Sequence, residues 1–320
     1  MPDEKRIVIP FPADFSFREC CWFLDRGYDD CMHAVKGNAI LKALRVEGRA
    51  VLIRITAGAD CLLVEILRGG ADRRGAAADA VGRHAGVEDA RDEFIKNYLI
   101  GWLDLERDLT PFYRLLDKDK RLSYMSAAFR GLRLIGIVDL FEALCWSVIG
   151  QQINLTFAHT LKRRLVEKYG EKLAFEGRDY YLFPACEVLA GVTVAELREM
   201  QLSQSKANYL IGLASVCAKG ELSREMLQEL PDLESRQKAL IALKGIGIWT
   251  ANYTLMKTLR EPSCIPHGDT GLLTALANHA IIKERSETVK IERFFKKYRG
   301  WESYLVFYLW RSLAEPAPVS

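Results

Sequence analysis

The sequence predicts an α+β unit over residues 1–111 followed by a mostly α-helical unit over residues 112–320. Three observations predict this division. Short β-branched runs mark the first hundred residues. Apolar residues then recur every three to four positions through the rest of the chain. Strand signals nearly vanish beyond Pro111, which interrupts the first long helical pattern.

In chain order, "RIVIPF", "AVLIRITA" and "CLLVEIL" read as strands separated by turn-forming Gly, Ala and Asp. "SFRECCWFLDRG" reads as a helix capped by Asp14 or Ser16 and ended by Gly27. Together they make a small α+β unit. From about residue 88, "DARDEFIKNYLIGWLDLERDL" has apolar residues at helical spacing. Helices are then expected over 138–149, 154–169, 193–201, 205–218, 224–229, 234–243, 248–259, 270–282, 288–297 and 301–313, with Gly, Pro or polar clusters between many of them. No internal repeat is evident.

Composition narrows the function classes. The 320 residues are 49% hydrophobic and 27% charged, an ordinary globular balance. The net charge of +3 and pI of about 8.3 permit a polyanionic partner without requiring one. No run reaches the roughly 20 apolar residues that span a bilayer, and the first residues lack a secretory apolar core. A cytoplasmic monomer with no membrane association is expected. The eight cysteines, at positions 20, 21, 31, 61, 145, 186, 217 and 264, form no CxxC pair. Their spread argues against a zinc site and against a disulfide framework. No cysteine follows Cys264, so a C-terminal four-cysteine iron–sulfur loop is excluded.

The stretch "LKGIGIWTANYTLMKTLREPSCIPHGDTGL", residues 243–272, carries the chemistry. One helix ends near Lys244 and another begins near Ile248. Gly245 and Gly247 between them can adopt positive φ or admit a second backbone. Free amides there, backed by the helix dipole, would bind a phosphate. A tight helix–helix connection would also use such glycines. Trp249 and Tyr253 share a helix face, as pocket aromatics or as core. Asp269 precedes a helix start and would serve as its N-cap, as a catalytic carboxylate, or as both.

The array L-x-G-I-G-x-W-T-A-N-Y followed by Pro266-x-x-Asp269-x-Gly271-Leu272 resembles the helix-hairpin-helix-Gly-Pro-Asp (HhH-GPD) superfamily of DNA glycosylases. Residues 139–170 are similar to the helix with the Gly-Gln-Gln element, and "LSQSKANYLIGLA" to the Ser-x-x-Lys-Ala-x-Tyr-Leu stretch before the hairpin. "WESYLVFYLWRSL" resembles the closing helix. "PFPADFSF" and the helix after it resemble the TBP-like N-terminal domain of AlkA-type 3-methyladenine DNA glycosylase II. The implied fold is thus a TBP-like α+β domain before a helical HhH-GPD catalytic domain.

The resemblance implies a base excision repair enzyme acting on double-stranded DNA with a damaged base. Asp269 matches the catalytic carboxylate. Trp249, Tyr253 and Trp310 match the pocket aromatics. Gly245 and Gly247 match the backbone-gripping turn, where the family also implies a monovalent cation; no other metal or cofactor is expected. Gln152 matches the residue that wedges into the base stack, although AlkA has leucine there. A buried amide bonding a helix end is the alternative for Gln152.

Bifunctional members carry a Schiff-base lysine where this chain has Trp249, so a monofunctional hydrolase is implied. The missing iron–sulfur cysteines point away from the endonuclease III and MutY branches, toward alkylated purines. His267 is the nearest other acid/base. Trp22 would pack in the core, or contribute to the pocket from the N-terminal unit. A non-catalytic hairpin module and an oxidised-base glycosylase/lyase remain the alternative functions.

Overall fold

The computed structural model describes residues 6–28, 30–69 and 85–314. An antiparallel sheet contains β1 (Ile7–Pro10), β2 (His33–Lys36), β3 (Ala39–Val46), β4 (Arg49–Ala57) and β5 (Cys61–Gly69), in spatial order β1-β5-β4-β3-β2. Three of these are the expected runs; β2 and β3 are additional. The β3–β4 loop is Glu47-Gly48, both residues at positive φ (49° and 78°), so the two strands form a tight hairpin. Lys42 and Arg45 break the apolar pattern of β3 and hide it from a reading by periodicity.

Between β1 and β2 runs α1 (Phe17–Leu24). Ser16 caps it, its Oγ accepting from Glu19 N at 3.2 Å. Asp14 does not cap; it receives Arg133 Nη2 at 2.6 Å instead. The helix stops at Leu24, three residues before Gly27.

The sheet is followed by α2 (Ala85–Leu103), α3 (Thr110–Asp117), α4 (Met125–Ala128), α5 (Leu140–Gly150) and α6 (Leu155–Tyr169). Pro111 stands in the first turn of α3, where its missing N–H costs nothing, so the expected boundary after it falls inside a helix.

Strands reappear after α6 as a hairpin, β6 (Lys172–Phe175) and β7 (Arg178–Tyr181), in the gap between expected helices, where no strand was expected. The signal is "LAFEGRDYY", in which Glu176 and Gly177 both take positive φ (48° and 72°) in a two-residue loop. The remaining helices are α7 (Cys186–Ala190), α8 (Val194–Glu199), α9 (Gln204–Ala218), α10 (Arg224–Glu229), α11 (Leu233–Ile241), α12 (Ile248–Thr258), α13 (Thr270–Asn278), α14 (Thr288–Phe295) and α15 (Glu302–Arg311).

One apolar core joins sheet and helices. Ile40, Ile53, Ile55 and Val64 on one sheet face are continuous with Leu99 and Leu103 of α2, Leu144 and Val148 of α5, Leu255 of α12 and Leu305 of α15. The opposite face, Leu41, Ala43 and Leu52, is covered by Leu173 and Tyr180 of the β6–β7 hairpin together with Leu182. The alternation of strand side chains thus feeds two layers. Buried ion pairs pin the sheet unit to the helices: Arg311 to Glu19 at 2.8 Å and Arg133 to Asp14 at 2.6 Å. Among the described residues, no helix is long and apolar enough to cross a membrane.

Candidate active site

The turn between α11 and α12 is held from three sides. Gly245 has φ +89°, and a Cβ there would lie 2.4 Å from the Tyr209 ring, so both backbone and neighbour demand glycine. Tyr209 is on α9, which Ser203 caps by accepting from Lys206 N at 3.2 Å. Lys206 Nζ donates to Ile149 O at 2.8 Å, fastening the C-terminal end of α5. One turn on, Gln151 Nε2 donates to Gly245 O at 2.9 Å and to Thr250 Oγ1 at 3.1 Å. The Ser-x-x-Lys-Ala-x-Tyr and Gly-Gln-Gln motifs are thereby the brackets of the hairpin.

Gly247 differs from Gly245. Its backbone is extended (φ −95°, ψ 177°), and a Cβ there would meet nothing within 4 Å. It is the N-cap of α12 with no side-chain acceptor, so the first-turn amides of an 11-residue helix are left for an outside anion. Gly245 O and Leu243 O each accept one proton, from Gln151 Nε2 and Ile246 N, and each keeps a second lone pair. These carbonyls would hold the monovalent cation that the resemblance implies. Gln152 is exposed at φ +57° on the rim of the central cavity. The half-buried amide bonding the hairpin is its neighbour Gln151, a residue the sequence reading passed over although it stands in the same motif.

Asp269 closes the loop that leaves α12. Asn252 secures that loop: its Nδ2 donates to Ile265 O at 2.7 Å and its Oδ1 accepts from Gln237 Nε2 at 2.6 Å. Ser303 at the start of α15 secures it again, accepting from Cys264 N at 3.1 Å and donating to Glu261 O at 2.6 Å. Asp269 then caps α13, its Oδ1 accepting from Leu272 N at 2.7 Å. The same oxygen accepts from Trp310 Nε1 at 2.9 Å. Among the described residues no basic side chain pairs with this carboxylate, and it lines the cavity. The two readings weighed for Asp269 are compatible: the cap and Trp310 both use Oδ1, and Oδ2 has no hydrogen bond among the described residues.

The cavity is about 1410 Å³ and lies between α1, the sheet and the helices. Trp249, Tyr253, Trp310 and Asp269 all line it. The Trp249 and Tyr253 rings lie 5.5 Å apart at 18°, and Tyr253 lies 6.2 Å from Trp310. A base inserted between two rings needs about 7 Å between them. Trp249 and Tyr253 are therefore one continuous aromatic face rather than two jaws.

Trp146 Nε1 donates to Tyr253 Oη at 3.0 Å and locks that ring; the sequence reading did not single it out. Burial pushes the Tyr253 phenol above its ordinary value, so it stays neutral. Trp22 also lines the cavity, with the Arg311 guanidinium 3.8 Å from its ring centroid, which ties it to the buried Glu19 pair. His267 is exposed at the rim. His159 lies stacked on Tyr28 at 4.6 Å, and burial lowers its pKa to about 4, so it is neutral near pH 7.

The lysines are placed tellingly. Position 249 holds no amine. Lys162, from the basic run "LKRRLVEK", is buried and pinned between Glu142 at 3.1 Å and Asp30 at 3.5 Å. Lys257 is buried two turns beyond Trp249 on the same helix.

Comparison with known proteins places the chain in a family. The family model described as HhH-GPD superfamily base excision DNA repair protein matches residues 145–299, and that described as 8-oxoguanine DNA glycosylase, N-terminal domain, matches residues 33–144. The chain is 37% identical over 308 residues to the DNA-3-methyladenine glycosylase of Bacillus subtilis, covering 96% of this chain and 97% of that one.

Among solved structures, the 3-methyladenine DNA glycosylase of Archaeoglobus fulgidus superposes with a TM-score of 0.77 at 23% identity, covering 95% of this chain and 97% of that chain. The Clostridium acetobutylicum 8-oxoguanine glycosylase/lyase, solved with double-stranded DNA, gives 0.65 at 18% identity, covering 89% and 98%. At those identities the structures speak for the fold. The chain belongs to the HhH-GPD superfamily of base excision DNA repair proteins, within its AlkA-type DNA-3-methyladenine glycosylase branch.

Proposed function

We propose that this protein is a monofunctional DNA glycosylase that everts an alkylated purine from duplex DNA and hydrolyses its glycosidic bond, leaving an abasic site. The supporting observation is Asp269, a carboxylate fixed by two donors to one oxygen, unpaired by any described cation, beside Trp249, Tyr253 and Trp310.

Eversion costs a few kcal/mol, which favours a base already weakened in its pairing. An N3- or N7-methylated purine is cationic, so it leaves as a neutral base and needs little acid assistance. Its positive charge also suits the indole and phenol faces, at roughly 0.5–2 kcal/mol per good contact. As the C1′–N bond lengthens, positive charge develops on the sugar, and the free side of Asp269 stabilises it. The base departs neutral with the bonding pair, and water adds at C1′ and gives up a proton to bulk water. Gly247 and the first amides of α12 take a backbone phosphate. Gln152, on the rim, fills the gap left in the stack.

The test is an excision panel on duplexes carrying 7-methylguanine, 3-methyladenine or 1,N6-ethenoadenine, scored for free base and alkali-labile sites. Absence of release from every alkylated duplex removes the proposal. The match to an 8-oxoguanine-type N-terminal domain keeps one rival worth testing. Borohydride trapping on an abasic duplex detects a lyase, and the tryptophan at position 249 predicts no adduct.

A further inference from the structure

Trp249, Tyr253 and Lys257 stand at i, i+4 and i+8 of α12 and therefore share one face. The first two form the aromatic wall, and Lys257, one turn further along, lines the same cavity. Its Nζ donates to Ile135 O and lies 4.9 Å from the Phe23 centroid and 5.1 Å from that of Phe307. Phe307 in turn abuts Trp310 at 6.4 Å, so the amine is continuous with the pocket lining.

What surrounds this amine is unusual. It is 4% exposed, and among the described residues no carboxylate pairs with it. The charged group acting on it is Arg26, a like charge from the segment after α1. Burial, then Arg26, lowers its pKa to about 7. An apolar side chain of similar length would fill the site without that penalty. One N–H is used on Ile135 O, and a lysine has at least one more to give.

We infer that Lys257 is a specificity-determining residue that donates a hydrogen bond to an oxygen on the inner edge of the everted base, favouring 6-oxopurines over 6-aminopurines. The inference rests on the glycosylase reading above. With its glycosidic nitrogen at Asp269, a purine turns the opposite edge of its six-membered ring inward. Position 6 there is a carbonyl acceptor in 7-methylguanine and hypoxanthine, but an amino donor in 3-methyladenine. An N–H from Lys257 matches the first and meets another donor in the second. The discrimination belongs to the ammonium form, which has donors and no acceptor, whereas the neutral amine would also accept from a 6-amino group.

The experiment uses DNA treated with a methylating agent, which carries 7-methylguanine and 3-methyladenine in one tube. Both lesions are cationic, so their charge is matched and position 6 differs. The full-length protein and two variants compete the lesions against each other, and the ratio of kcat/KM is read from the bases released. In Lys257→Met the ratio of 7-methylguanine to 3-methyladenine release falls roughly tenfold. In Lys257→Gln, which keeps an N–H donor, it stays within about threefold of the parent. A ratio unchanged or raised in the methionine variant overturns the inference, as does a glutamine ratio as low as the methionine one. Release of neither base by the parent would instead sink the glycosylase reading itself.

Discussion

Asp269→Asn separates chemistry from docking. Asparagine keeps an oxygen to accept from Leu272 N and Trp310 Nε1, now at 2.7 and 2.9 Å, and it caps helices as well as aspartate does. The fold therefore stands, apart from about 0.3–1 kcal/mol of lost interaction with the dipole of α13. What disappears is the negative charge. A unit charge about 4 Å from the developing oxocarbenium is worth about 4 kcal/mol at an effective dielectric of about 20. At about 1.4 kcal/mol per decade, that is roughly a thousandfold in rate.

Single-turnover base release from a 7-methylguanine duplex measures the loss. Fluorescence anisotropy on a duplex with an abasic analogue measures affinity, and thermal melting measures the fold. The expected result is a rate about a thousandfold lower with affinity within about threefold of the parent, because the carboxylate acts on the transition state. A rate within tenfold of the parent, or an affinity that falls as far as the rate, would refute the assignment of Asp269.

Three further perturbations follow from the same geometry. Gly247→Asp places a capping carboxylate over the open amides of α12; it should leave stability unchanged or up to about 1 kcal/mol higher, yet weaken binding to damaged and undamaged duplex alike. A salt titration of binding reads this out, and damage-specific loss contradicts a phosphate grip. Arg311→Ala strands Glu19, whose side chain is 4% exposed, and should cost about 3–5 kcal/mol in urea unfolding; a loss under 1 kcal/mol would mean the pair is dispensable.

Lys257 has its pKa lowered to about 7 in the fold, against 10.5 ordinarily, so the unfolded chain binds the extra proton between those values. Stability should rise with pH across that window by on the order of 1 kcal/mol per unit, and Lys257→Met should lose that rise. Parent and variant melted at pH 7 and pH 9 decide it; identical pH responses would show that the amine is not buried as described.

Much of this protein was legible without coordinates. Apart from the five-residue α7, which was not expected, the helices from α5 onward followed their three-to-four-residue periodicity to within a few residues, because an amphipathic helix must repeat its apolar face. The HhH-GPD array was readable because Gly245, Gly247, Trp249 and Asp269 are close in sequence and form a recognisable motif, although backbone geometry demands the residue type only at Gly245. Strands were harder. In β3, Lys42 is buried against the Trp102 ring at 5.1 Å, a setting that periodicity cannot anticipate.

By itself, the sequence determined the order of the units and the turn at 245–247, which rest on short-range patterning and backbone preference, and it nominated the carboxylate through a family motif. Tertiary structure alone decided which residues serve them. Gln151 rather than Gln152 braces the hairpin, across 94 positions of chain. Trp310 orients Asp269 from 41 positions away, and Trp146 fixes Tyr253 from 107. A tryptophan or glutamine looks the same in sequence whether it packs, caps or positions, since its hydrogen-bonding partner is chosen only when distant segments fold together.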